Sequence, residues 1–89
     1  MNIFVGNIGP YTHKEDLEEA FQAFGVVKSV NIVFDDDSRR SKGYGFVKME
    51  NYQEAREAIQ QLDQTEINER EIYVCKADSQ RNHWYWQNT

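Results

Sequence analysis

Residues 2–6 alternate between the two faces of an extended segment, with Ile3 and Val5 on one and Phe4 on the other. A first strand is expected there, ended by Gly9-Pro10. The period then lengthens. Leu17, Ala20, Phe21 and Phe24 recur at helical spacing behind Thr12-His13-Lys14-Glu15, a capping box in which the Thr12 hydroxyl meets the Glu15 amide and the Glu15 carboxylate reaches back. Gly25, directly after Phe24, is placed to stop this helix in the left-handed conformation. Residues 26–34 are rich in β-branched side chains and predict a second strand, with Val30 and Ile32 towards a core and Asn31 and Val33 on the other face. The polar stretch 35–41 reads as a hairpin loop into a third strand over 42–49. Asn51, with Glu54 three residues on, opens a second helix whose apolar stripe is Ala55, Ala58, Ile59 and Leu62. Alternation returns over 66–77, with Ile72 and Val74 inward and Tyr73 and Cys75 outward.

The predicted order is β-α-β-β-α-β. Right-handed crossovers in a four-stranded antiparallel sheet put both helices on one side. The fold expected is therefore α+β, with one sheet face covered and the other bare. Lys42, Tyr44, Phe46 and Lys48 share one face of the third strand, while Gly43, Gly45, Val47 and Met49 share the other. The second set, small or apolar, suits the core, where a helix backbone can lie close. The first set leaves two rings between two lysines on the uncovered side, in line with Phe4. Flat rings beside ammonium groups suit bases beside phosphates.

Those residues carry a resemblance. Residues 42–49, Lys-Gly-Tyr-Gly-Phe-Val-Lys-Met, resemble the octapeptide signature of the RNA recognition motif family, Lys/Arg-Gly-Phe/Tyr-Gly/Ala-Phe-Val-x-Phe/Tyr, with Met49 the one departure. Ile3-Phe4-Val5-Gly6-Asn7-Ile8 resembles the family's hexapeptide signature, and two linked signatures carry more than either alone. The resemblance covers residues 1–77 and leaves 78–89 as an aromatic tail. It implies a ferredoxin-like fold, with bases on Phe4 and Phe46, sugars against Tyr44 and a phosphate at Lys42. Met49 replaces an aromatic on the buried face, so it bears on packing. The loop 35–41 lacks the Thr-Gly pair common in the family.

Charge complicates this picture. Fifteen acidic residues against ten basic ones give a net charge of −5, which as a whole opposes phosphate binding. Distribution matters more than the sum. Glu15, Asp16, Glu18 and Glu19 fall in the first helix, and Glu50, Glu54, Glu57 and Asp63 in or beside the second. Lys28, Arg39, Arg40, Lys42, Lys48, Lys76 and Arg81 fall on strands, in the loop or in the tail. The molecule is expected to be acidic behind the sheet and basic in front. Arg39 and Arg40 read equally as solvated loop residues and as phosphate contacts that position a strand, with Asp35, Asp36 and Asp37 opposing the second reading.

Eighty-nine residues make one domain. A lone cysteine, Cys75, excludes an internal disulfide and a zinc cluster, and the run 35–37 lacks the spaced ligands of an EF-hand. His13 and His83 have no ligand partners at useful spacing, so no metal or cofactor is expected. The chain opens on an apolar strand with no charged leader, and no apolar run approaches the roughly 20 residues of a membrane span. A soluble, cytoplasmic protein with no membrane partner is expected. The start at Met1 points to a whole small protein, similar to the stand-alone single-domain RNA-binding proteins of bacteria.

Three classes of function compete. Binding of single-stranded RNA, or of single-stranded DNA by the same chemistry, is the reading the rings favour. Phe4, Tyr44 and Phe46 form its platform, Lys42 and Lys48 guide the backbone, and Arg39, Arg40 and Lys76 have lesser roles. The alternative is a protein-interaction module on the same fold, acting through the helices or the tail; family members of that kind often lose the aromatic triplet, which this chain keeps. An enzyme resembling acylphosphatase, which shares the topology, needs an arginine and an asparagine around a phosphate-cradling loop, and residues 7–11 offer no arginine. In the tail, His83-Trp84-Tyr85-Trp86 leaves three readings open: it lies across the sheet, it adds stacking surface, or it is disordered or docks on a partner.

Overall fold

The computed structural model describes residues 1–77. They form β1 (Asn2–Gly6), α1 (Lys14–Gln22), β2 (Val27–Phe34), β3 (Ser41–Met49), α2 (Tyr52–Leu62), β4 (Glu66–Ile67), β5 (Arg70–Glu71) and β6 (Tyr73–Lys76). Strands β2, β3, β1 and β6 make one antiparallel sheet in that order. The expected fold is the one found.

The core lies between the helices and one sheet face. Ile3 and Val5 of β1, Val47 and Met49 of β3, and Val74 of β6 meet Leu17 and Phe21 of α1 and Ala55 and Ala58 of α2. Val30, Ile32, Ala20, Phe24, Ile59 and Leu62 pack around them, half-buried. Both stripes read from the sequence therefore face inward. Asn51 caps α2 as expected, its Oδ1 accepting from the Glu54 N–H at 2.9 Å.

Four local expectations give way, each to a contact from elsewhere in the chain. First, α1 is capped one residue later than expected. His13 is the N-cap, and the Asp16 carboxylate accepts the His13 N–H at 2.9 Å. Thr12 is buried, and its hydroxyl instead accepts from Asn68 Nδ2 at 3.2 Å. Second, Gly25 is not left-handed; among the described residues only Gly43, at φ 89°, is a glycine in that region. A Cβ on Gly25 would collide with the Glu54 side chain, so its smallness lets the end of α1 approach the first turn of α2.

Third, residues 66–77 are two elements. Asn68 and Glu69 have φ of 52° and 66°, the positive values of a type I′ turn, and fold β4 onto β5. Only β6 joins the main sheet. Fourth, Gly45 faces backbone of β2, not of a helix. A Cβ there would lie 2.5 Å from the Asn31 carbonyl oxygen and 3.1 Å from Ile32 Cα, beside a register shift between Ile32 and Phe34.

Candidate nucleic-acid interface

Strands β1 and β3 lie at the middle of the sheet, and their register builds the aromatic face. Phe4 pairs with Phe46 and Gly6 with Tyr44, so the three rings fall side by side on the face opposite the core. Phe4 and Tyr44 stack with centroids 5.6 Å apart at 28°, Phe4 and Phe46 meet edge to face at 5.6 Å and 69°, and Tyr44 and Phe46 lie 6.2 Å apart at 89°. Such geometries suit the ring quadrupoles and hold each ring in place. Exposed Lys42 and Lys48 flank the cluster at the two ends of the same strand face.

Phe4 departs from the expectation of an open ring. It is only 1% exposed, one of the largest fully buried side chains, although it lies outside the cluster packed with the helices, whereas Tyr44 and Phe46 are half-buried. The central strand explains part of this. Two rings from β3 press on Phe4 from one side, and Cys75 of β6 pairs with it from the other.

Beside Phe46, a shallow cleft of about 400 Å³ is lined by Asn2, Ser29, Asn31, Lys48 and Ala77. Asn31 pairs directly with Phe46 across β2 and β3, and Asn2 pairs with Lys48 across β1 and β3. Amides next to a ring can hydrogen-bond the edges of a stacked base. The sequence reading placed Asn31 on this face but passed over Asn2 and Ser29; Asn2 shares the parity of Phe4, so alternation alone contained the signal.

The remaining cations divide. Lys76 follows the parity of Val74, and its Nζ lies 5.9 Å from the centre of the Tyr52 ring of α2, so it sits on the helix side, away from the platform. Lys28 is held by Glu50 at 2.7 Å, and that bond keeps the Glu50 carboxyl below its usual range. Arg39 and Arg40 are exposed beyond the end of β2. Their loop is ordered from within. Asp35 Oδ1 accepts from the N–H groups of Ser38 and Asp37, each at 2.9 Å, which lowers the pKa of that carboxyl, and the Arg39 N–H donates to the Asp35 carbonyl at 2.8 Å with Arg39 left-handed at φ 62°. One of the three aspartates opposing the arginines is thus occupied by backbone.

Among the described residues, no group of three histidine, cysteine, aspartate or glutamate side chains is arranged to hold a metal, and no helix is long and apolar enough to cross a membrane. The run His83-Trp84-Tyr85-Trp86 lies outside the described residues.

The human Transformer-2 protein homolog beta is 40% identical over 73 residues, which cover 82% of this chain and 25% of that protein, and the mouse homologue matches equally. The chain thus spans about a quarter of the length of these relatives. Among solved structures, the crystal structure of RNA Binding Protein PG1 superposes with a TM-score of 0.83 at 40% identity, covering 86% of this chain and 93% of that one. The second RRM domain of the yeast poly(U)-binding protein Pub1 gives 0.79 at 29%, covering 85% and 92%. The family model described as RNA recognition motif matches residues 3–73, nearly the whole of the fold, so the chain belongs to the RNA recognition motif family.

Proposed function

We propose that this domain binds single-stranded RNA on the face of β1 and β3, without catalysis. The observation that carries the reading is the placement of the half-buried Tyr44 and Phe46 rings between exposed Lys42 and Lys48. Rings give stacking that tolerates any base, and the ammonium groups meet phosphates on either side. Phe46 takes a base, with Asn2 and Asn31 at its edge. Tyr44 lies against sugar. Phe4 backs both rings, and a base reaches it only when its ring becomes accessible.

The similarity to a structure of an RNA-binding protein and to one of a poly(U)-binding protein supports RNA as the ligand, with single-stranded DNA a weaker ligand of the same face. Arg39 and Arg40 add phosphate contacts, and Lys76 has at most a rim role. Residues 1–77 form the binding unit and 78–89 an appended tail. The cytoplasmic location expected from the sequence belongs to this reading and is checked by fractionating the tagged chain.

Phe46→Ala is expected to weaken single-stranded RNA binding by about 1–3 kcal/mol, one stacking contact, with the fold retained. Fluorescence anisotropy gives the affinity, and circular dichroism checks the fold. A folded variant with wild-type affinity refutes the platform.

A further inference from the structure

We propose that Tyr11, Phe34, Arg39 and Arg40 form a second nucleotide site, which takes one base and its phosphate where the single strand leaves the sheet. The inference rests on the sheet reading above and extends it. Pro10 and Tyr11 after β1, Phe34 at the end of β2, and Arg39, Arg40 and Ser41 at the start of β3 line a cleft of about 380 Å³. That volume falls within the roughly 300–1,000 Å³ of small-ligand sites.

Its lining is unusual for this chain. Tyr11 is 84% exposed and Phe34 56%, which places both among the large apolar side chains most open to water in the described residues. Two such rings meeting in one cleft mark a place where something apolar binds. With them the lining includes two arginines and no acidic residue, in a protein whose net charge is −5. Ring faces suit a base, and guanidinium forks suit a phosphate.

Backbone holds this arrangement in place. The Arg39 N–H donates to the Asp35 carbonyl and the Asp35 N–H to the Arg40 carbonyl, both at 2.8 Å, closing the loop that carries both arginines. The Asp35 carboxylate is engaged by the Asp37 and Ser38 N–H groups and does not compete for them. The cleft lies at the end of β3 nearest Lys42. Ser41 lines it, and Lys42 comes next on β3, on the same face as Tyr44 and Phe46. Ser41 and its partner Phe34 alternate to the face opposite Lys42, so a strand leaving the platform past Lys42 reaches the cleft by turning round the end of the sheet.

The test compares oligomer lengths on the full chain by fluorescence anisotropy. A single-stranded RNA of about three nucleotides fills only the sheet, and one of about eight reaches beyond it. Tyr11→Ala, Phe34→Ala and the double change Arg39→Gln/Arg40→Gln are each expected to weaken the longer RNA by about fivefold or more while changing the shorter by less than about twofold. Backbone amide spectra check that the variants keep the fold, and the loop double variant alters no packed side chain. No loss on the longer RNA, or equal loss on both, overturns the second site.

Phe46→Ala separates the two readings. If it weakens both lengths while Tyr11→Ala weakens neither, only the second site falls. If Phe46→Ala changes nothing, the sheet reading falls and takes the second site with it. Binding of an acidic peptide that depends on Arg39 and Arg40 but not on Tyr11 assigns the cleft to a protein partner and likewise overturns the proposal.

Discussion

Phe21→Ala is expected to remove about 3–5 kcal/mol of stability, the usual loss when a buried phenylalanine leaves a cavity. Phe21 is fully buried in the core cluster, together with Leu17 of α1 and the inward residues of β1 and β3. A chain of 89 residues has only about 4–13 kcal/mol in total, at ~0.05–0.15 kcal/mol per residue. One ring therefore accounts for a large share, because a small domain has few layers to redistribute the void. Urea unfolding should show a much lower midpoint with an unchanged slope. A loss below about 1 kcal/mol would mean that the site collapses around the missing ring and that α1 is less firmly seated than its burial implies.

Gly45→Ala is the second large effect, expected at about 1–3 kcal/mol, the range of typical overpacking costs, because in this chain β2 crowds a position that the octapeptide signature leaves open to Gly or Ala. Its Cβ would point at backbone, 2.5 Å from the Asn31 carbonyl oxygen. Rotamer change cannot relieve that contact, so β2 and β3 must part. The consequence reaches the interface, since Asn31 and Phe46 face each other across these two strands. Loss of stability by urea unfolding should come with weaker RNA binding in the fraction that remains folded. Wild-type stability would show that the strands already have room, contrary to the geometry.

These two residues also show what the chain's pattern reveals and what it hides. Phe21 is readable, because helical spacing alone puts it with Leu17 on one face. Residue parity likewise predicts the line of Phe4, Tyr44 and Phe46 and the inward set of Ile3, Val5, Val47 and Val74. Parity even contains Asn2 and the inward place of Lys76, once each strand is followed to its end. Gly45 is readable as small but not as pressed against β2, because that depends on a register shift formed between two strands.

Other details depend on partners distant in sequence. The Thr12 hydroxyl goes to Asn68, 56 residues away, so the local capping pattern is outcompeted and Asp16 takes over. The Asn68-Glu69 turn lacks the glycine that usually announces a type I′ hairpin, so continuous alternation hides the break before β6. Arg70 adds a further tie of this kind, its Nε donating to the Asn7 carbonyl at 3.1 Å and so clamping the β4–β5 hairpin to the end of β1. The exposure of Phe4 was beyond parity as well. Alternation says which face a ring occupies, not how closely its neighbours crowd it.

The overall negative charge is compatible with an anionic ligand because of where the charges lie. Glu15, Glu18 and Glu19 are exposed on α1 behind the sheet, while Lys42 and Lys48 stand exposed in front of it. Each front lysine has an acidic neighbour, Asp35 for Lys42 and Glu50 for Lys48, and both carboxyls are lowered in pKa chiefly by their own hydrogen bonds, to backbone N–H groups and to Lys28.

The most direct measurement is a titration of the ¹⁵N-labelled protein with short single-stranded RNA, following every backbone amide. Binding on the sheet predicts the largest shifts at Asn2, Phe4, Asn31, Tyr44, Phe46 and Lys48, with the outer turns of α1 and α2 unmoved. Shifts confined to the helices, or none at RNA concentrations that saturate a comparable domain, would contradict it.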